Sequence, residues 1–430
     1  MKPLARIVQL SAAFLGSNFA RAVIGLGLSL VLGRGLGADR FGRWMLCVTW
    51  ASTLTVVTDL GFGVLLTRDG AREDGEPGRL ISGALVLRLA VALPLAAVLY
   101  VFASRLSSEP ETIAGVRAAA LLGSAGAVYG CFGALLRSQP RWLPTMLAIE
   151  TGSLAAQVAG SWWLVRGGRG VVALVSLASA LQLAQIAAAV VLWQPVFGGR
   201  ARFARSSRGA LIAMLVRALP FAASGIVANF QTRVAPLMLG SLSTASELGW
   251  FAAASRFGSV ARLAPSAIFA GALPVLSHEY GRDRSEAHRV SHTLDRALLA
   301  LSGAVAVGCL LLAGPMMRLV YGPSFAAAAP ALMWVAVGLI PALSNSGGEV
   351  FLYAAGGEAL VVRWRAAGVA IQVLSAALLI PALGSAGAAM SVAIGEAAIW
   401  LPFRRAVRAH TTGGQSSQAE VRLKADTTYA

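Results

Sequence analysis

Long apolar runs dominate this sequence and limit what it can fold into. A helix needs about 20 apolar residues to cross a hydrocarbon core about 30 Å thick, and the runs are continuous rather than alternating, which favours helices over a β-barrel. The sequence therefore predicts an all-α polytopic membrane protein with about 12 transmembrane helices. The predicted spans lie near residues 7–33, 44–67, 80–103, 113–136, 143–165, 170–193, 211–240, 248–274, 294–313, 326–354, 364–383 and 386–403.

Composition and the short connections exclude most enzyme classes. Hydrophobic residues make up 57% of the chain and charged residues 13%, and the mean hydropathy is +0.70, which soluble folds of this size do not normally show. The longest predicted outer loop, roughly residues 104–112, is too short for a domain with its own active site. Neither Lys2 nor Lys424 follows a glycine-rich run, so a P-loop is excluded. We expect no enzymatic activity, no cofactor and no metal.

The basic residues are distributed unevenly between the two sides of the membrane. The formal net charge is +17, and with the N-terminus inside, about 20 Lys or Arg residues fall on the inner side and about seven on the outer side. This is the positive-inside asymmetry. It predicts a multi-pass protein of the cell inner membrane with both termini cytoplasmic, in contact with anionic membrane lipids. The basic loops carry no motif that reads DNA or RNA, so we expect no nucleic acid partner.

An internal repeat divides the chain. LGRGLGADRFGRW (32–44) and LGSLSTASELGWF (239–251) align without gaps, share the opening Leu-Gly and place Gly42 opposite Gly249. Each segment links the first predicted span of a half to the second, an arrangement typical of transporters with two parallel repeats around a central cavity. The predicted organisation is an N-terminal six-helix bundle (1–193), a basic cytoplasmic linker (194–209), a C-terminal six-helix bundle (210–405) and a disordered cytoplasmic tail (406–430).

The order of several short motifs is similar to that of a known family. They are VLGRGLGADRFGRW, TDLGFGVLLTR (58–68), LGSLSTASELGWFAAASRF, ALPVLSHEYGRD (272–283), VYGPSFAAAAPAL (320–332) and IPALGSAGAAMS (380–391). In register over residues 1 to about 408, the chain resembles the polysaccharide transport members of the multidrug/oligosaccharidyl-lipid/polysaccharide exporter superfamily, which include O-antigen and teichuronic acid flippases.

The resemblance implies a function as well as a fold. It implies a V-shaped two-bundle transporter that flips polyprenyl-pyrophosphate-linked glycans to the outer leaflet by alternating access, for surface polysaccharide biosynthesis. The polysaccharide polymerase and the chain-length machinery would then be further partners. It implies no catalytic residue, and we carry no cavity residue over from it.

Deeply placed arginines are the candidates for substrate recognition. A charge at bilayer depth costs at least about 2.5–3.5 kcal/mol, so it usually faces a bundle interior or an aqueous cavity. Asn18 and Arg21 share one face of span 1, and Asn229 and Arg233 share one face of span 7. Guanidinium groups suit a pyrophosphate, while structural ion pairs between helices are the alternative role. The candidate substrate-binding residues are Asn18, Arg21, Asn229, Arg233, Arg256 and Arg262.

The remaining charges inside the spans have other expected roles. Arg88, Arg117 and Arg217 lie close to span ends, where arginines anchor at the membrane interface. The intramembrane acids either couple flipping to a proton or sodium gradient or neutralise neighbouring arginines. These ion-coupling candidates are Asp59, Glu150 and Glu396.

Other functions make different demands on the sequence. A multidrug exporter of the same superfamily would select cations with acidic and aromatic cavity groups, whereas this cavity is predicted to be net basic. A flippase of lipid-linked peptidoglycan precursors is expected to have 14 spans rather than 12. A membrane polymerase or glycosyltransferase needs a larger outer loop than this chain offers.

Overall fold

The chain folds into helices joined by short turns. The computed structural model describes the backbone of residues 3–72, 76–263, 276, 280, 282 and 284–428, and the side chains within these ranges except those of 3–15, 223–228, 284–285 and 411–428. Its α-helices are α1 (Pro3–Val57), α2 (Phe62–Gly70), α3 (Pro77–Leu106), α4 (Pro110–Arg137), α5 (Leu143–Arg166), α6 (Val171–Phe197), α7 (Arg208–Leu242), α8 (Ala245–Ala261), α9 (Arg284–Tyr321), α10 (Ala329–Ala354) and α11 (Glu358–Thr428), with 3-10 turns at Gly198–Ala201 and Pro323–Ala328.

Local sequence signals account for where several helices begin. Pro77 and Pro110 occupy the first positions of α3 and α4. Proline suits this position because its φ is already helical and a first-turn N–H would have no partner within the helix. Ser207 caps α7, since its side chain accepts a hydrogen bond from the Ala210 N–H at 3.3 Å.

Seven helical stretches of the described residues are long and apolar enough to cross a membrane, and they overlap nine of the twelve predicted spans. The other three predicted spans begin on α5, α7 and α8, and the last of them runs into residues outside the described part of the chain. These helices contain Glu150, Arg233 and Arg256, so some candidate site residues lie outside the seven stretches.

Two of the predicted loops are helical connections instead. Spans 1 and 2 both lie on α1, which departs from helical geometry at Gly37 (φ 72°, ψ 174°), and the last two spans lie on α11, which does so at Gly384 (φ 54°, ψ −127°). Positive φ is accessible to glycine at little cost, so these residues redirect the chain without a loop.

The predicted second span, 44–67, is interrupted. Helix α1 ends at Val57, and α2 begins at Phe62 after a turn in which Leu60 and Gly61 have φ of 47° and 79°. A Cβ on Gly61 would lie 2.4 Å from the Ala218 carbonyl oxygen of α7. The turn therefore needs glycine both for its backbone conformation and for the close approach of α7.

The chain packs as two compact units. Unit 1 contains residues 1–256 and 317–327, and unit 2 contains residues 257–316 and 328–430. The division into two six-helix bundles remains a prediction. The backbone of α11 is helical through the tail to Thr428, where composition predicted disorder, and the side chains of 411–430 lie outside the described residues.

The repeat glycines form a contact within unit 1. A Cβ on Gly42 of α1 would lie 1.7 Å from the Ala245 carbonyl oxygen of α8, and a Cβ on Gly249 would lie 2.1 Å from the Ala38 carbonyl oxygen of α1. The two helices thus meet backbone to backbone at the pair of glycines that the repeat shares. Such crossings of small residues are how membrane helices approach closely.

Candidate functional site

A buried carboxylate in unit 1 joins three helices. Glu150 of α5 accepts hydrogen bonds from Arg21 Nη1 of α1 at 2.7 Å and from Arg137 Nη1 of α4 at 2.5 Å. The Tyr129 hydroxyl donates to the same carboxylate at 2.9 Å. Two guanidinium groups share one carboxylate, so the cluster carries an excess positive charge.

A second buried carboxylate lies in unit 2. Glu396 of α11 accepts hydrogen bonds from Arg365 Nη1 at 3.0 Å and from Arg262 Nη2 at 3.5 Å. Asn345 of α10 donates to the same carboxylate at 2.9 Å, and Arg365 also pairs with Glu349. Two arginines and two carboxylates balance the charge here.

In each cluster, one arginine is more accessible to solvent than the other. The exposed fraction of the side chain is 44% for Arg21 and 42% for Arg262, against 33% for Arg137 and 14% for Arg365. A guanidinium has five N–H donors, so an accessible arginine that holds a carboxylate can still donate to a second anion. Removal of either accessible arginine would leave the buried carboxylate with an arginine partner.

The structure therefore unites four of the predicted residues in two pairs, Arg21 with Glu150 and Arg262 with Glu396. The contacts are the ion pairs between helices that the sequence left open as the alternative. The role of these residues in substrate binding or ion coupling stays a prediction. Asn18 is half-buried on α1, and the contacts of the described residues include no hydrogen bond between its side chain and Arg21.

Arg233 and Arg256 differ from these two arginines. Arg233 Nη1 donates to the backbone carbonyl of Asn229 at 2.8 Å, so the predicted pair meets through the main chain of α7. The Nε of Arg233 is buried without a hydrogen-bond partner in the described part of the chain. Arg256 lies half-buried on α8. Within the described residues, neither guanidinium is paired with a carboxylate.

Asp59 has a local structural role in the motif TDLGFG. Its carboxylate accepts a hydrogen bond from the Gly63 N–H at the start of α2 and pairs with Arg88 Nη1 at 3.1 Å. Arg88 is fully buried, and a Cβ on Gly130 would lie 2.6 Å from its Nη1. The prediction of Arg88 as an interfacial anchor is wrong because the neighbouring helix encloses its side chain.

Several members of the clusters were assigned to loops or overlooked. Arg137 directly follows one predicted span and Arg365 lies at the start of another, so both were counted among the cytoplasmic cations, whereas α4 and α11 include them. Arg217, predicted as an interfacial anchor, pairs with buried Asp69 of α2. No periodicity along one helix indicates a partner on another helix, so these pairs required the tertiary fold.

Comparison with known proteins identifies the fold and a family. The family model described as "Polysaccharide biosynthesis protein" matches residues 7–279. A comparison with curated proteins found no match. Among solved structures, the lipid II flippase MurJ in an inward-closed conformation is 14% identical with a TM-score of 0.73, covering 93% of this chain and 87% of that chain.

Two further structures have the same architecture. An outward-facing multidrug resistance MATE transporter is 15% identical with a TM-score of 0.55, covering 94% of this chain and 96% of its own. A transporter of the MOP superfamily from Pyrococcus furiosus, whose binding pocket has reversed polarity, is 16% identical with a TM-score of 0.57, covering 95% and 96%. At these identities the likeness shows the fold alone, and it confirms the predicted all-α polytopic transporter fold.

Proposed function

The chain belongs to the polysaccharide biosynthesis protein family, and from this premise we propose that it is a flippase for polyprenyl-pyrophosphate-linked oligosaccharides. In this role it moves the completed unit from the cytoplasmic to the outer leaflet for surface polysaccharide biosynthesis. It works in the cell inner membrane with both termini cytoplasmic. The chemistry is translocation without bond making or breaking, so the protein is not an enzyme.

The observation that carries the proposal is the pair of carboxylate clusters with accessible arginines. Arg21 and Arg262 are each held by a buried carboxylate and are each less than half exposed. An arginine fixed in this way offers oriented donors to a pyrophosphate, and charge-assisted hydrogen bonds to phosphate oxygens are among the stronger ones. Arg233 and Arg256 add guanidinium groups that are not neutralised by a carboxylate of the described residues.

The mechanism we propose is alternating access. The inward-open protein admits the pyrophosphate group from the cytoplasmic leaflet while the prenyl chain stays in lipid, and a conformational change then exposes the headgroup to the outside. A ligand shifts such an equilibrium only by its different affinity for the two states. Glu150 and Glu396 compete with the cargo for Arg21 and Arg262, so protonation or sodium binding at these acids would couple flipping to an ion gradient.

Two alternatives share the fold. A multidrug exporter would need anionic recognition groups, whereas the Glu150 cluster has two arginines for one carboxylate. A flippase for lipid-linked peptidoglycan precursors carries the same pyrophosphate chemistry, so only the identity of the cargo separates it from our proposal.

The identity of the cargo is tested in cells that lack the gene. We expect the complete polyprenyl-pyrophosphate-linked oligosaccharide to accumulate and surface polysaccharide to disappear, as measured by extraction and mass spectrometry of the glycolipids. Accumulation of a peptidoglycan precursor would favour that alternative. Unchanged glycolipids together with altered sensitivity to cationic drugs would contradict the flippase proposal.

The arginines are tested by flipping assays on Arg21→Ala and Arg262→Ala. Each substitution should lower flipping by about tenfold to a hundredfold, because a hydrogen bond to a charged group contributes about 1.5–3 kcal/mol. Folded protein should persist, since Glu150 keeps Arg137 and Glu396 keeps Arg365. Arg117→Ala, on α4, is the control because Arg117 lies over the Tyr100 ring and has no ion pair among the described residues. Normal flipping by both variants would refute a role for these arginines.

A further inference from the structure

A cavity of about 410 Å³ opens in unit 1, and none of its described lining residues belongs to either carboxylate cluster. It lies where the end of α2 and the first turns of α3 and α7 meet. Its volume falls within the range of about 300–1,000 Å³ that is usual for small-molecule sites. The loops that border it belong to the side of the membrane that the charge asymmetry predicts to be cytoplasmic.

Three arginines line this cavity together with two carboxylates. They are Arg72, Arg79, Arg217, Asp69 and Glu76. Glu76 is engaged by Arg79 Nη1 at 2.8 Å, and Asp69 is paired with Arg217. Arg72 forms no ion pair with a described residue, so the described lining offers three guanidinium groups and two carboxylates; Glu73 and Asp74 follow Arg72 in the sequence. Residues 73–75 lie outside the described residues.

If Arg217 turns away from Asp69, the carboxylate still has a cationic partner. Asp69 is buried, with 7% of its side chain exposed, and it also accepts a hydrogen bond from Arg68 Nε at 2.9 Å. The Arg217 side chain is 50% exposed. A half-exposed arginine whose partner has a second cation can turn to an incoming anion, because the buried charge stays compensated.

The backbone around the cavity also favours an anion. The N-terminal turns of α3 and α7 both contribute to the lining, through Arg79 and Ala210 among others. Helix N-termini carry a partial positive charge, and this charge is what the two turns contribute, since the N–H groups of Arg79 and Ala210 already donate to Glu76 and Ser207. The first turn of α3 approaches the linker that precedes α7 closely, since a Cβ on Gly78 would lie 1.8 Å from the Arg202 carbonyl oxygen.

One wall of the cavity is apolar. Leu80 of α3 and Met214, Ala210 and Ala213 of α7 contribute to it. A free inorganic ion would leave this wall in contact with water, whereas an anion attached to a hydrocarbon chain would cover it. The combination of guanidinium groups with an apolar wall therefore suits the phosphate group of a lipid.

We propose that this cavity binds a lipid-borne phosphate at the predicted cytoplasmic face, with Arg217 exchanging Asp69 for the phosphate and Arg72 as a second contact. The site does not depend on the cargo proposed above, since a phospholipid headgroup and a polyprenyl pyrophosphate offer the same chemistry. Binding would separate Arg217 from Asp69 and thereby loosen the contact between α7 and α2.

Native mass spectrometry on the full-length protein in neutral detergent would test the site. We would titrate phosphatidylglycerol, polyprenyl pyrophosphate and inorganic pyrophosphate separately into the wild-type protein and into the double variant Arg72→Gln/Arg217→Gln. The apparent Kd of the first bound lipid should be about tenfold higher or more in this variant than in wild type, equivalent to about 1.4 kcal/mol. Arg205→Gln/Arg208→Gln removes the same charge from exposed neighbours that do not line the cavity, and its Kd should change less than about twofold.

A second variant separates loss of the site from loss of folding. Ala213→Phe fills the cavity without changing its charge. It should weaken lipid binding as the double variant does. Its thermal unfolding temperature without lipid should stay near that of wild type. Equal weakening by the control pair, or unchanged binding in both cavity variants, would overturn the proposal. Binding of inorganic pyrophosphate without either lipid would also overturn it.

The three ligands identify the source of the phosphate. Weakened binding of polyprenyl pyrophosphate alone would assign the site to the cargo, and weakened binding of both lipids would assign it to any phosphate-bearing lipid; either result supports the site. The measurement involves no transport, so a failure of the flippase proposal would appear in the gene-deletion experiment and leave this result unchanged.

Discussion

Substitution of Arg365 by alanine is expected to remove most of the folded protein. Arg365 is only 14% exposed and is the cation that joins the Glu349 and Glu396 carboxylates of unit 2. Without it, Glu349 loses its arginine, and Glu396 loses the nearer of its two arginines and keeps Arg262 at 3.5 Å. Removal of one partner from a buried ion pair costs about 3–5 kcal/mol, a large part of the stability of a typical domain. The yield of monodisperse protein after detergent extraction would measure the loss.

Arg363→Ala is the matched control for this experiment. Arg363 lies two residues earlier on α11 and is exposed, with its guanidinium over the Trp364 ring. Its replacement should leave the yield within about twofold of wild type, as is usual for surface substitutions. Combining Arg365→Ala with Glu349→Gln should restore part of the yield, because one partly buried charge that has lost its arginine is removed. A normal yield for Arg365→Ala alone would show that the ion pairs do not stabilise unit 2.

The second large effect is expected from Gly42→Ala. The added Cβ would lie 1.7 Å from the Ala245 carbonyl oxygen and 2.9 Å from the Gly249 backbone nitrogen, so α1 and α8 would have to separate. Overpacking typically costs about 1–3 kcal/mol, and here the obstacle is backbone rather than a side chain that can move. We expect a fall in thermal stability of several degrees or more, measured by unfolding of the detergent-solubilised protein.

The partner glycine and a neutral glycine provide the comparison. Gly249→Ala should have an effect of similar size, since its Cβ would lie 2.1 Å from the Ala38 carbonyl oxygen. Gly25→Ala, also on α1, has no atom within 4 Å of the added Cβ and should be neutral or slightly stabilising. Equal behaviour of all three variants would mean that the contact between α1 and α8 does not contribute to stability.

The repeat shows how sequence and structure inform each other. Alignment of the two segments placed Gly42 opposite Gly249 but offered no reason for glycine at either position. The structure supplies the reason, because the two glycines pack against each other's helix. The same holds for Asp59 and Gly61, which the TDLGFG motif contains and which the structure assigns to a cap of α2 and a close approach of α7.

Some site residues could be found from the sequence because burial of charge in an apolar span is itself a signal. Arg21, Glu150, Arg262 and Glu396 were identified in this way, since a charged residue within a membrane span is costly and needs a partner or an aqueous surrounding. Arg137 and Arg365 lie at span ends, where a cation costs little, so hydropathy did not distinguish them from loop residues.

By itself, the sequence determined that this protein is a bundle of membrane helices, where most of those helices lie and to which family it belongs. Hydropathy and helix length are properties of one segment at a time. They suffice to locate membrane helices, because an α-helix must be long and apolar to cross the hydrocarbon core. Only the tertiary structure decided which charges meet. Arg21 and Glu150 are 129 residues apart in the chain, and Arg262 and Glu396 are 134 apart. Their pairing depends on how helices pack, which the periodicity of a single helix does not encode.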